Sequence, residues 1–187
     1  NAVSKNMLVA DRRKLLNGNS FRLGVSGSGK SFSAKEEIVD LALSTEDDIL
    51  ILDPESEFGS LVEALNGEVI SISATSHTHL NALDMDSAYG NDKNPLIEKS
   101  EFILSLFEQL VGAGNLSAKE KSILDRCTAD VYREYIRSGY KSEVPTLKDL
   151  YRQLMLQPEE EARGLALSSE LFINGSLNTF AQKTNVN

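Results

Sequence analysis

The feature that most constrains this chain is the stretch Gly-Val-Ser-Gly-Ser-Gly-Lys-Ser at residues 24–31. It fits the phosphate-binding loop pattern G-x-x-x-x-G-K-[ST] at every fixed position. Residues 20–23 before it predict the end of a short strand, and residues 31–43 after it predict a helix with an apolar face. Strand, glycine-rich loop and helix form the context in which the pattern indicates a nucleotide site.

Each part of this loop has its own chemical task. Glycines and small serines let successive backbone N–H groups point at phosphate oxygens, and the following helix presents its positive end to the same anion. We expect Lys30 to reach the β- and γ-phosphates of ATP and the Ser31 hydroxyl to bind Mg²⁺. The residues predicted to bind nucleotide are Ser26, Gly27, Ser28, Gly29, Lys30, Ser31 and Phe32. The alternative is a glycine-rich turn with a chance Lys-Ser pair.

A group of carboxylates follows the apolar run at residues 49–52. The unbroken run predicts a strand buried on both faces, as in a parallel sheet. It is followed by Asp53, Glu55 and Glu57, at the end of a strand where α/β sheets usually bind ligands. Residues 68–73 predict a further strand, and strands that alternate with helices predict a mainly parallel sheet.

From residue 94 onward the pattern contains helices alone. Asn94 and Pro95 are typical of a helix start, and Ser117 with Glu120 forms a capping-box sequence. The same spacing recurs at Thr146. We therefore predict an α/β segment at residues 1–93, an all-α insertion at residues 94–173 and a polar tail at residues 174–187.

Composition limits the function classes. The chain has 187 residues, 41% of them hydrophobic, and a net charge of −9, so no broad basic surface for DNA is expected. The basic cluster at residues 12–14 is too short to indicate a nucleic-acid site. No apolar run approaches the roughly 20 residues that cross a bilayer. The absence of an initial Met leads us to expect an excised segment of a longer protein.

Cys127, His77 and His79 are residue types that can act as nucleophiles or metal ligands, but we predict structural roles for all three. The lone Cys127 fits a reducing compartment and lies in a helical pattern, so we predict a small core residue. His77 and His79 lie in a loop without a nearby cysteine or third histidine. We therefore predict that they are polar loop residues and not metal ligands.

The motifs together resemble a known family. Residues 24–33, combined with Ile-Leu-Asp-Pro-Glu-Ser-Glu-Phe at residues 51–58, resemble the conjugative-transfer and type IV secretion ATPases. These belong to the HerA–FtsK branch of RecA-like motors. Residues 71–74, 81–85 and 175–180 are similar to members from conjugative elements of Gram-positive bacteria. The resemblance implies an α/β fold: a RecA-like P-loop NTPase core with a partial, mainly parallel sheet and an all-α insertion.

The resemblance also implies catalytic roles. RecA-like motors often place a catalytic Glu two positions past an Asp, and Asp53 and Glu55 have that spacing. We expect Glu55 to activate the attacking water, with Glu57 as the alternative and Lys30 as the third catalytic residue. Asp53 is expected to join Ser31 at Mg²⁺ or to act by hydrogen bonding. The alternative is that these acids only cap the turn.

The family places its Walker-B Asp-Glu pair downstream, and none follows residue 95. We therefore expect an N-terminal fragment of the motor domain that binds ATP but hydrolyses it poorly. The resemblance implies a hexamer in the cytoplasm or at the inner face of the membrane. There it would work with other type IV secretion components, coupling ATP hydrolysis to machine assembly or substrate transport.

Three other functions are compatible with parts of the sequence. The first is a HerA-type DNA-translocating ATPase, although the charge does not support DNA as a partner. The second is a non-catalytic helical interaction module beside a degenerate nucleotide site. The third, a small nucleotide kinase, would need an arginine-rich lid, and the acidic insertion has no such cluster.

Overall fold

The computed structural model describes residues 11, 14–73, 75–90, 94–112, 114–175 and 177–186. The chain forms two compact units, Asn1–Val69 and Ile70–Asn187. Arg12 and Arg13 of the basic cluster lie outside the described residues, as do Ala74 and Ser176 of the segments that carry the family resemblance. The predicted segment boundaries after residues 93 and 173 stay predictions.

The predicted helices are all present, with ends that differ by about two residues. In the described part of the chain, the first unit holds α1 (Lys30–Ser44) and α2 (Gly59–Ala64). The second unit holds α3 (Pro95–Val111), α4 (Ala118–Arg137), α5 (Leu147–Met155), α6 (Glu160–Ile173) and a short 3-10 helix (Asn178–Ala181).

The predicted sheet is wrong. No described residue lies in a β-strand, so the α/β, RecA-like core with a partial parallel sheet is not found and the regular structure is helical. Residues 20–23, 49–52 and 69–72 have no regular structure, and Leu23 and Leu50 are 91% and 90% exposed. An apolar run indicates a preference for burial, but a buried strand also needs paired neighbours and cover on both faces. The described residues supply neither.

The first unit is open. None of its described residues is buried. Helices α1 and α2 and the segment at residues 49–51 instead line a cavity of about 350 Å³. Its apolar lining residues are Ile38, Ala42, Ile49, Ile51, Val62 and Leu65. The apolar faces predicted from the sequence therefore converge here without closing into a core.

The second unit has a closed helical core. Helix α4 packs against α3, α5 and α6, and α6 also packs against α3, α5 and the 3-10 helix. Phe107, Leu124, Leu150 and Leu165 are at most 1% exposed. Each comes from a different helix, so the four apolar faces that the sequence pattern predicts meet in one core. Full burial of such a side chain contributes about 1.5–3 kcal/mol.

Side chains fix where α3 and α4 of this unit begin. The Asn94 side chain accepts a hydrogen bond from the Leu96 N–H, and Pro95 occupies the first helical position. At α4 the Ser117 hydroxyl accepts from the Glu120 N–H at 3.3 Å, while the Glu120 carboxylate accepts from the Ser117 N–H at 2.8 Å. The predicted capping box is therefore confirmed.

A buried loop at residues 81–85 is held by the helices around it. The Tyr132 hydroxyl donates to the Leu83 carbonyl at 2.5 Å, and the Tyr135 hydroxyl donates to the Met85 carbonyl at 2.8 Å. The Asn81 side chain donates to the Pro145 carbonyl at 2.9 Å. These bonds satisfy backbone acceptors that the core would otherwise leave unpaired.

The end of the chain is also tied to this region. The Asn185 side chain accepts from the His79 N–H at 2.7 Å and donates to the His77 carbonyl at 2.8 Å. The Thr184 hydroxyl accepts from the Asn81 N–H at 2.8 Å. The residues around His77 and His79 therefore contribute backbone contacts to the second unit.

Lys99 of α3 is buried, with 3% of its surface exposed. Its ammonium lies 4.1 Å from the ring centre of Tyr89 and 4.8 Å from that of Phe102, and it donates to the Ala82 carbonyl at 3.3 Å. Burial lowers its pKa to about 8, against an opposing effect of Asp84.

Cys127 is fully buried in α4, as predicted, and burial raises the pKa of its thiol to about 11. A thiol in this environment is a core side chain and not a nucleophile. Among the residues that the structure describes, no helix is both long and apolar enough to cross a membrane.

Candidate functional site

The phosphate-loop sequence folds into a tight turn that leads directly into α1. The Ser28 N–H donates to the Val25 carbonyl at 3.2 Å and closes the turn. Gly29, the residue before α1, has φ of 85°, in the left-handed region where a side chain is strained. A side chain at Gly24 would collide with the Ser28 hydroxyl. The glycines of the motif are therefore required by this loop geometry.

Lys30 closes the loop. Its ammonium donates to the carbonyls of Gly24 and Val25, both at 2.8 Å. A lysine ammonium has three N–H donors, so two hold the start of the loop and one remains for an incoming acceptor. The first residue of α1 thus fastens the loop that precedes it and also places a positive charge beside it.

The start of α1 suits an anion. Its first turn contains no acidic residue, and the Ser33 N–H is bonded to the Gly29 carbonyl at 2.9 Å. The N–H groups of Lys30, Ser31 and Phe32 precede that bond and have no acceptor within the helix. Together with the helix dipole, they favour a phosphate at this end.

The segment that enters the loop is fixed to the same helix. Arg22, two residues before Gly24, forms an ion pair with Glu37 of α1. The start of the loop is therefore attached to α1 twice, through the Arg22–Glu37 ion pair and through the Lys30 ammonium.

The three predicted carboxylates lie together in one turn before α2. Asp53 accepts a hydrogen bond from the Phe58 N–H at 2.8 Å, and Ser56 between them has φ of 56°. This amide, followed by those of neighbouring residues in the turn, lowers the pKa of Asp53 below its ordinary 3.8, so the carboxylate is ionised at neutral pH. Glu55 and Glu57 are exposed.

One contact connects this turn, termed the acidic turn (residues 53–58), with α1. The Lys35 ammonium lies 5.4 Å from the centre of the Phe58 ring, within the range of a cation–π interaction. Lys35 was not among the predicted site residues, and Phe58 entered only as the last residue of the motif at residues 51–58. A contact between side chains 23 positions apart leaves no periodic signal, so nothing in the sequence could have indicated it.

The residues predicted for Mg²⁺ cannot hold the ion without help. Within the described ranges, no group of three or more His, Cys, Asp or Glu residues could bind a metal ion. Mg²⁺ in nucleotide sites is commonly held by one or two protein oxygens together with phosphate oxygens. Ser31 and Asp53 fit that pattern in donor type, and the roles of all the predicted site residues stay predictions.

Comparison with solved structures identifies the fold. The chain is similar to VirB4 of Thermoanaerobacter pseudethanolicus, with a TM-score of 0.72 and 24% sequence identity. The match covers 96% of this chain and 49% of that one, so the chain spans about half the length of VirB4. At this identity the likeness shows a shared fold. No curated protein sequence matches the chain significantly.

A family model gives the classification. The family described as "Helicase HerA, central domain" matches residues 23–187, from the residue before the phosphate loop to the end of the chain. The resemblance to the HerA–FtsK branch, which includes the conjugative-transfer ATPases, is thereby confirmed. Since the matched residues make up most of its length, the chain belongs to the family of the HerA helicase central domain.

Proposed function

We propose that the chain is the ATP-binding part of a conjugative-transfer motor ATPase. The observation that carries this proposal is the closed loop at the start of α1, in which Lys30 holds the carbonyls of Gly24 and Val25. A loop already closed around the helix end needs little reorganisation to receive a phosphate. Family membership and the fold shared with VirB4 support an ATPase of this type.

In this proposal each residue keeps the role predicted for it from the sequence. The remaining donor of Lys30 and the N–H groups of Ser31 and Phe32 bind the β- and γ-phosphates, as do the backbone groups of residues 26–29. Ser31 and Asp53 hold Mg²⁺ together with phosphate oxygens. Bound Mg²⁺ neutralises charge that develops on the phosphates during hydrolysis.

Glu55 orients the attacking water in this proposal, and Glu57 is the alternative. Both are exposed in the acidic turn and are free of the role that Asp53 has in closing it. In the full-length protein, Glu55→Gln should retain ATP affinity and lose turnover. Unchanged turnover would transfer the role to Glu57, which Glu57→Gln tests in the same assay.

The whole protein is proposed to act as a hexamer, in the cytoplasm or at the inner face of the membrane. ATP hydrolysis there drives assembly of a type IV secretion machine or transport of its substrate. A HerA-type DNA translocase is the second candidate, because the matching family is named for a helicase. Hydrolysis stimulated by DNA in the full-length protein would favour the second candidate.

Calorimetric titration of Mg-ADP and Mg-ATP into this chain tests the first step. We expect saturable binding that Lys30→Ala reduces at least about tenfold, because it removes a charge-assisted phosphate contact and the bonds that close the loop. Lys141→Ala, an exposed substitution in the second unit, serves as the matched control and should leave affinity unchanged. Equal affinity in the parent and Lys30→Ala would contradict the proposal.

A further inference from the structure

Phe58 makes contacts in three directions within the first unit. Its N–H donates to Asp53 at 2.8 Å, and its ring lies 5.4 Å from the Lys35 ammonium. Its carbonyl accepts from the N–H groups of Leu61 and Val62, both at 3.0 Å, and so begins α2. One residue therefore joins α1, the acidic turn and α2.

Phe58 contacts α1 at a position that the continuous helix connects to the phosphate loop. Lys35 follows Lys30 by five residues in the same helix, a rise of about 7.5 Å along the axis. A continuous helix transmits a displacement of its first turn to its second with little loss. A displacement of the first turn of α1 on phosphate binding would therefore move Lys35 relative to the Phe58 ring.

The acidic turn is closed well enough to move as one piece. Asp53 at its start accepts from Phe58 at its end, and the left-handed Ser56 fixes the path between them. Glu55 lies inside this closed segment. Its position consequently depends on where Phe58 is held.

We propose that Lys35 and Asp53 are positioning residues that act through Phe58, placing Glu55 according to the state of the phosphate loop. This inference rests on the proposed function and adds how the phosphate loop and the acidic turn of that site communicate. Asp53 closes the turn by accepting the Phe58 N–H.

A tryptophan at position 58 makes the coupling visible, because the chain contains no tryptophan of its own. In Phe58→Trp we expect Mg-ADP to shift the emission maximum, with the same saturation as the calorimetric titration. The control is Phe102→Trp in the second unit, whose ring also lies beside a lysine, Lys99, at 4.8 Å. Its emission should not respond to Mg-ADP.

Second substitutions in Phe58→Trp separate positioning from general damage. Lys35→Met should abolish the emission shift while weakening Mg-ADP binding by no more than about fivefold. Asp53→Ala should also abolish the shift at Mg-ADP concentrations that saturate the variant in calorimetry. Asp53→Asn, saturated in the same way, should restore it because the amide oxygen can accept the same hydrogen bond. Failure of Asp53→Asn to restore the shift would contradict the role assigned to the bond.

The parent chain provides a measurement that does not depend on a new aromatic residue. By amide hydrogen exchange, Asp53→Ala should accelerate exchange of the Phe58 N–H by at least about tenfold, and Asp53→Asn by less. The Gly67 N–H, bonded to the Val62 carbonyl at 2.8 Å, is the control within the same unit. Mg-ADP should slow exchange at Phe58 and leave Gly67 unchanged.

The outcomes distinguish the two proposals. Calorimetric binding without any response at position 58, in emission or in exchange, overturns the coupling and leaves the proposed function intact. Absence of Mg-ADP binding to the parent chain contradicts the proposed function, and the coupling with it.

Discussion

The two units of this chain differ in how their apolar residues are used. In the second unit, four helices each bury at least one large apolar side chain, and Leu124 and Leu150 have no exposed surface. In the first unit, where the phosphate loop lies, no described residue is buried, and Leu52 is 88% exposed. The two units have similar sequence signals for apolar elements. Burial depends on whether another element covers each apolar face.

The difference extends to how the helices begin. Helices α3 and α4 begin with a side chain that accepts a backbone N–H, from Asn94 and Ser117. Helix α1 begins at the left-handed Gly29, which supplies no such acceptor. At a capped helix start, a side chain of the protein accepts a hydrogen bond from an N–H group of the first turn. At an uncapped start, these N–H groups remain available to an anion. The uncapped start of α1 is the one at which we propose that nucleotide binds.

A matched pair of leucine substitutions tests the comparison with the largest expected effect. Leu124→Ala should lower the free energy of unfolding by about 2–5 kcal/mol, because it opens a cavity in a closed core. Leu52→Ala should change it by less than about 0.5 kcal/mol, since most of that side chain is already in water. Urea unfolding followed by circular dichroism measures both. Similar costs for the two variants would contradict the difference between the units.

The buried loop of the second unit gives the next largest effect. Tyr132→Phe removes the donor to the Leu83 carbonyl and leaves a fully buried acceptor unpaired, at a cost of about 1–3 kcal/mol. Tyr151→Phe, at a half-buried tyrosine of α5, is the control in the same urea experiment and should have little effect. A cost no larger than that of the control would mean that water replaces the lost bond.

Substitutions in the capping box test how α4 of the second unit begins. Ser117→Ala should cost about 1 kcal/mol, because the Glu120 N–H loses its acceptor. Ser117→Gly should cost only a few tenths of a kcal/mol. Thermal unfolding of the parent, Ser117→Ala and Ser117→Gly measures the order of their stabilities. Equal stability of the alanine and glycine variants would show that the serine side chain does not stabilise α4.

The pH dependence of stability should reveal Lys99. Its pKa is about 8 in the folded protein and 10.5 ordinarily, so between these values the unfolded chain binds more protons. Stability therefore rises with pH across this window, and the cost of the buried charge is fully present below pH 8. A change of this size in the pKa corresponds to a gain of at most about 3 kcal/mol across the window.

Unfolding measured from pH 7 to 10.5 in the parent and in Lys99→Met tests this prediction. The free energy of unfolding of the parent should rise with pH relative to that of Lys99→Met. Lys141→Met, at an exposed lysine, should keep a constant difference from the parent. A constant difference for Lys99→Met as well would mean that Lys99 titrates at its ordinary pKa.

Elements with local signals are predictable from the sequence. Helix patterns predicted all six α-helices of the described residues, and Ser117 with Glu120 marked the start of α4. The motif at residues 24–31 predicted a turn that leads into a helix, and this is what forms. These features depend on residues within about four positions of one another, so a single sequence contains the information. The family likewise followed from motifs and is confirmed by the match over residues 23–187.

Features that depend on distant partners become visible only in the folded chain. Residues 20–23, 49–52 and 68–73 predicted strands, yet no described residue lies in a strand. Pairing and burial require a second element, which the run itself does not specify. For the same reason, the sequence did not predict the contact of Lys35 with Phe58 or the burial of Lys99 between Tyr89 and Phe102. An amino-acid pattern specifies the preference of a side chain, whereas the folded chain specifies its neighbour.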